Sequence, residues 1–106
     1  MEEKIKISIL LELYGNLLTE KQYEFMDYYY NNDLSLSEIA ENQNITRQAV
    51  REVLTKSKNK LKEYEEKLKF LKKEKEIETQ IENLSKTSLT QEQQQIIEKI
   101  NNQLDF

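Results

Sequence analysis

The alternation of apolar and polar positions divides the chain into five helical segments. Ile5, Ile9 and Leu13, with Leu10 alongside, make a stripe that predicts a first helix over Glu2–Tyr14 facing the core on that side. Gly15 then serves as a left-handed C′ residue that stops it. Thr19 with Gln22 three positions on is a capping box, and Leu18 with Tyr23 can staple across it. The second helix therefore starts at Thr19 and runs to about Asn31, with Tyr23, Met26 and Tyr30 inward at i, i+3, i+7 spacing. Asn31-Asn32-Asp33 forms a turn.

Residues 34–54, LSLSEIAENQNITRQAVREVL, read as two short helices joined by a tight turn. Ser35 and Glu38 form a second capping box, and Leu34 with Ile39 a second staple, so a third helix spans about Leu36 to Asn42. Gln43-Asn44 make the turn, Thr46 is the next N-cap, and Ile45 pairs with Val50 as a third staple. Ala40 falls where the two helices cross closely and a small side chain is needed. This is a helix-turn-helix, whose second helix can lie in the major groove of DNA.

From Val50 the apolar positions Val50, Leu54, Ser57, Leu61, Tyr64, Leu68 and Leu71 alternate four and three residues apart, a heptad stripe. With no breaker before Ser85, the fourth helix is expected to run about 40 residues, or ~58 Å. Near residue 74 the stripe slips in phase and resumes at Ile77, Ile81 and Leu84. Ser85 to Ser88 link to a fifth helix capped by Thr90 and Gln93, with Ile96 or Ile97, Ile100 and Leu104 on its apolar face. The expected architecture is all-α: a helix-turn-helix core of three or four helices, a long C-terminal helix and a short terminal one. Residues 1–71 are assigned to the helix-turn-helix domain and 72–106 to a helical extension.

Composition narrows the chemistry. The 106 residues include no Cys, no His, no Pro and one Gly. Disulfides, the usual zinc sites, thiol nucleophiles and histidine bases are thereby excluded, as are glycine-rich phosphate loops. The carboxylates show no pairing with a base or a metal-ligand cluster, so no enzyme, cofactor, metal or small-molecule substrate is expected. The longest apolar run, Ile9-Leu10-Leu11, is far too short for a membrane span, and Glu2 and Glu3 stand where a signal peptide needs basic residues. A soluble cytoplasmic protein is expected.

The net charge of −4 is unevenly spread. Arg47 to Lys75 holds eleven basic and five acidic residues, and the remainder five basic and fifteen acidic. A basic stripe that begins in the recognition helix is an electrostatic footprint for nucleic acid even on an acidic chain. Tyr28-Tyr29-Tyr30, with Phe25 and Tyr23, read as core aromatics rather than a base-stacking platform, Tyr28 being the most exposed.

Leu18-Thr19-Glu20, the tyrosine run and the helix-turn-helix followed by a Lys-rich helix resemble the fourth region of sigma factors, which reads a promoter element. The chain is more similar still to the YlxM family, in which the motif continues as Leu-x-x-Tyr-Glu-x-x-Leu, here Leu61 to Leu68. The likeness covers about residues 5–71. The family is encoded beside signal recognition particle components and described as a regulator of that pathway. The sigma region that holds core polymerase is not matched, which points to a regulator rather than a self-sufficient sigma factor.

The resemblance implies DNA-facing side chains at Arg47, Gln48, Arg51 and Glu52, with Lys56 further along the groove edge. Arg can pair bidentately with guanine, Gln with adenine, and Glu can accept from cytosine. Thr46 and Lys21 become phosphate contacts, and Glu52 must meet a cytosine amine or pair with Lys56 to be tolerated. Two functions follow: a DNA-binding regulator, or an adaptor for a protein or RNA component of the particle. Leu61, Tyr64, Leu68 and Leu71 project beyond a small core and need cover. That cover can come from the first helix folding back with Ile5, Ile9 and Leu13, from the acidic fifth helix, in cis or swapped between chains, or from a second copy. Of these a homodimer built on them is expected.

Overall fold

Residues 2–104 are described by a computed structural model, and no strand occurs among them. The helices are α1 (Glu3–Tyr14), α2 (Glu20–Met26), α3 (Leu36–Gln43), α4 (Arg47–Leu68), α5 (Phe70–Ser85) and α6 (Gln91–Gln103). They fall into two units that divide between Leu68 and Lys69, three residues before the boundary expected from sequence.

In the first unit α4 is the central element, and α1, α2 and α3 all pack against it. Its core is Ile7, Leu10, Leu11 and Tyr14 from α1, Phe25 and Met26 from α2, Ile39 and Ala40 from α3, and Val50, Leu54, Ser57 and Leu61 from α4. The face assigned to α1 is therefore corrected: Ile5 is 52% exposed, and the stripe at 7, 10, 11 and 14 is the buried one. The helix is apolar on two sides, and tertiary partners choose between them. Tyr14 ends the chosen stripe, donating its hydroxyl to Glu65 Oε1 at 2.7 Å with its ring 6.1 Å from that of Tyr64.

Gly15 is also not the left-handed cap expected of it. At φ −55° it opens a short 3-10 turn to Leu17. Its lack of a side chain matters for space, because a Cβ there would lie 2.7 Å from Tyr23 Cε2. Tyr23 thus lies against Gly15 and stays 41% exposed, while burial on α2 falls to Phe25 and Met26. Tyr30 too is only partly buried. The Thr19–Gln22 capping box forms as expected, with both bonds at 3.1 Å.

After Met26 the helix widens into a π-type turn, Asp27–Asn31, in which the Asn32 N–H donates to Asp27 O at 3.1 Å. The extra residue in that turn swings the tyrosine run away from the Phe25 face, which is why the 3.6-residue period fails here. Asp33 follows at φ 55°, and its carboxylate receives Lys4 Nζ at 3.0 Å.

The helix-turn-helix is built by local bonds. Ser35 and Glu38 close their box with two bonds of 3.1 Å. Asn44 takes the left-handed conformation at φ 57°, the Ile45 N–H reaches Ala40 O at 3.0 Å and the Asn44 N–H reaches Glu41 O at 3.3 Å. This pair of bonds is a Schellman motif, which ends α3 and turns the chain sharply. Thr46 Oγ1 accepts from the Ala49 N–H at 3.1 Å and starts α4. Ser57, on the buried stripe, is satisfied by donating back to Val53 O at 2.7 Å.

The single long helix expected from Val50 onwards is two helices. Lys69 at φ 58° interrupts it, ahead of the phase slip near residue 74. A left-handed lysine costs about 1–2 kcal/mol, and no Gly or Pro advertises it. In the second unit α5 and α6 pack on each other. Phe70 and Ile77 share a cavity with Leu104, so the start of α5 meets the end of α6 in a helical hairpin. Thr90 and Gln93 cap α6 as expected, and of the two candidate isoleucines Ile97 is buried while Ile96 is 50% exposed.

Glu3 ties α1 to α4 through Lys58 and Lys62, each at 3.4 Å. The hydrogen bond and charge of Lys62, then Lys58, hold its carboxyl below the ordinary value of 4.5. A depressed carboxyl stabilises the fold above the unfolded pKa and loses that contribution as pH falls through the folded one. Glu3→Gln should therefore lower the melting temperature slightly at neutral pH and make no difference once the pH is well below 4.5. Paired thermal melts across that range check it.

Candidate nucleic-acid interface

The buried residues of α4 recur at Val50, Leu54, Ser57 and Leu61, which fixes which way the rest of the helix faces. At 100° per residue the opposite side carries Gln48, Glu52 and Lys56, with Arg47 and Arg51 rotated towards one flank. Thr46, Arg47, Gln48, Arg51, Glu52 and Lys56 are all exposed. Gln48, Glu52 and Lys56 form the outward row, flanked on one side by Arg47 and Arg51, on a helix whose first turn is fixed by the Thr46 cap and the Asn44 turn. Lys21 belongs to a different helix, where its ammonium lies 5.7 Å from the centre of the Phe25 ring.

Ion pairs within the chain divide the basic stripe in two. Lys58 and Lys62 are held by Glu3, and Lys67 by Glu63 at 3.0 Å. Among the described residues, Arg47, Arg51 and Lys56 have no ion-pair partner, and Glu52 does not close onto Lys56 as sequence spacing allows. Lys60, Lys69 and Lys73 are likewise without one, and what sets Arg47, Arg51 and Lys56 apart is their place on the first three turns of α4.

Sequence reasoning missed a groove beside that row. Arg51, Thr55 and Lys58 of α4 face Tyr29 and Tyr30 of the π-type turn around a cavity of about 170 Å³. Tyr29 and Tyr30 meet edge to face at 4.9 Å, and Lys4 lies 5.9 Å from the Tyr29 ring centre. The tyrosine run, read as core, is half-exposed at all three positions. The adjacency of three tyrosines was its only signal, since three consecutive side chains cannot all face one core.

A family model matches residues 1–103, that of UPF0122, described as "Putative helix-turn-helix protein, YlxM / p13 like". The chain belongs to the UPF0122 family. A UPF0122 protein of Clostridium kluyveri is 51% identical over 78 residues, covering 74% of this chain and 70% of that one. One from Fusobacterium nucleatum is 39% identical over 100 residues, 94% of this chain and 97% of its own. One from Malacoplasma penetrans is 54% identical over 66 residues, 62% of each. The UPF0122 helix-turn-helix is α3, the Asn44 turn and the start of α4, and a helix-turn-helix of this kind suits nucleic acid.

The residues expected to pair two copies are placed differently from that expectation. Leu61 is fully buried within the first unit, so it is not free for a partner, and Leu71 belongs to the second unit. Tyr64 is half-buried, its ring beside Tyr14 and its hydroxyl donating to Leu17 O at 3.3 Å. Leu68 alone of the four is exposed, at 38%. The shortfall that called for a dimer at Leu61 does not arise, because α1 covers this part of α4. Among the described residues, no helix is long and apolar enough to cross a membrane, and no group of three or more His, Cys, Asp or Glu is placed to hold a metal ion.

Proposed function

We propose that this protein is a non-enzymatic, DNA-binding regulator that acts in the cytoplasm and reads a short duplex site with α4. The observation that carries this reading is the unpaired outward row Gln48, Glu52 and Lys56, with Arg47 and Arg51 on its flank, on a helix rigidly capped by Thr46. Arg47, Gln48 and Arg51 contact base edges, Lys56 follows the groove edge, and Thr46 and Lys21 meet phosphates. The YlxM likeness extends the proposal to regulation of the signal recognition particle pathway. The regulator acts as a homodimer, which presents two recognition helices to a two-fold site.

A second reading is an adaptor for the particle's RNA or protein, favoured by the Tyr29–Tyr30–Arg51–Lys58 groove beside the row. RNA helices hide their major groove, so that partner would use stacking and phosphate contacts. Competition between duplex promoter DNA and the particle's RNA at about 50 and about 200 mM salt separates the two. Sequence-selective DNA binding that survives the higher salt supports the first reading. Preference for the RNA, or affinity for DNA that collapses without sequence preference, overturns it.

A further inference from the structure

One flank of α1, beside its buried stripe, carries opposite charges at its two ends with apolar side chains next to them. Lys4, Ser8 and Glu12 recur every four residues along it, and with Ile5 and Ile9 they form one wall of an open groove of about 450 Å³ whose other wall is Tyr23 of α2 and Tyr30 and Asn31 of the π-type turn. Ile5 is 52% exposed and Tyr23 41%, so the apolar floor has no cover. Among the described residues Glu12 has no ion-pair partner in its own chain. Lys4 bonds Asp33 at a site where both side chains stay more than half exposed, and its ammonium has further donors to offer.

We propose that two copies of this chain pair antiparallel through α1, about a two-fold axis at Ser8, with Lys4 of each against the partner subunit's Glu12. The inference locates the homodimer contact of the proposed regulator. Rotation about that axis exchanges the helix ends. Lys4 and Glu12 each stand four residues, or ~6 Å, from Ser8, so unlike charges oppose at both ends. A parallel pair would set Lys4 on Lys4 and Glu12 on Glu12, so the charge order itself selects the antiparallel arrangement. Ser8 is small where the axes would cross, and Ile5 and Ile9 supply the apolar contact around it. The surface is self-complementary, as an isologous two-fold contact requires. A helix of 12 residues is short, and such a contact lies at or below the low end of stable interfaces, so association belongs in the micromolar range.

Sedimentation velocity of the full chain over micromolar concentrations, with native mass spectrometry of mixtures, tests this. Wild type should dimerise. Lys4→Glu and Glu12→Lys should each weaken the dimer at least tenfold while melting cooperatively, and Ile5→Asp should do the same by an independent route. An equimolar mixture of Lys4→Glu and Glu12→Lys chains should regain dimers of mixed composition, because unlike charges then meet at both ends. A dimer indifferent to these variants but lost in Leu68→Asp would move the contact to α4 and overturn the α1 assignment alone. A mixture that stays monomeric would overturn the antiparallel pairing. A wild type that is monomeric throughout would overturn both the pairing and the homodimer, leaving the DNA-binding reading to its own assay.

Discussion

Leu61→Ala should destabilise the first unit by about 2–5 kcal/mol, and by the same amount at every protein concentration. Leu61 is fully buried where α4 meets its neighbours, in a core shared with Leu10, Leu11 and Tyr14 of α1. Removing its branched end deletes buried contacts and leaves a cavity that α1 and α4 can fill only by moving together. Glu3 with Lys58 and Lys62, and Tyr14 with Glu65, hold those helices in their present register and limit such a collapse. Had Leu61 instead belonged to a contact between copies, the loss would appear as weaker association and would grow on dilution. Denaturant titrations at two protein concentrations distinguish these outcomes. A concentration-dependent midpoint would return Leu61 to the interface, and a change under about 1 kcal/mol would deny it a place in the core.

The helix-turn-helix was legible because everything that makes it is local. Ser35 and Glu38, Asn44, and Thr46 act within four or five residues of themselves, so their identities and spacing suffice. The same holds for the caps at Thr19 and Thr90. The α1 face was not legible for the opposite reason. Its sequence offers two apolar stripes, and only the packing of α4 decides that Ile7, Leu10, Leu11 and Tyr14 go in while Ile5 stays out. Gly15 was given a conformational role when its role is spatial, and nothing in its neighbours' identity announces Tyr23 lying against it.

Two backbone irregularities account for most of the rest. The π-type turn at Asp27–Asn31 adds a residue to one helical turn, and a fixed period cannot follow side chains through it. The left-handed Lys69 ends a heptad pattern that carries on unbroken in the sequence through Leu71. The basic stripe had a similar fate. Its sum was readable, but its useful part was not, since Glu3 lies more than fifty residues from the lysines it holds.

That division of the stripe makes the recognition prediction sharper than sequence allowed. Arg47→Ala and Arg51→Ala should each weaken binding to the cognate duplex by about 1–3 kcal/mol and relax preference at one base, with no change in melting. Both side chains are exposed and lack ion-pair partners among the described residues, so truncation removes nothing from the fold. Lys62→Ala is the matched control: it deletes the same charge from the same helix, but that charge is engaged by Glu3 and lies just over four turns beyond Arg47. Its binding loss should be smaller and indifferent to sequence. Lys56→Ala, a groove-edge cation, should weaken all duplexes alike and flatten the salt dependence by about one charge. Fluorescence anisotropy on cognate and scrambled duplexes at two salt concentrations measures all four. Equal losses for Arg47 and Lys62 on both duplexes would reduce α4 to a nonspecific cation, and unchanged affinity in both arginine variants would remove this face from recognition altogether.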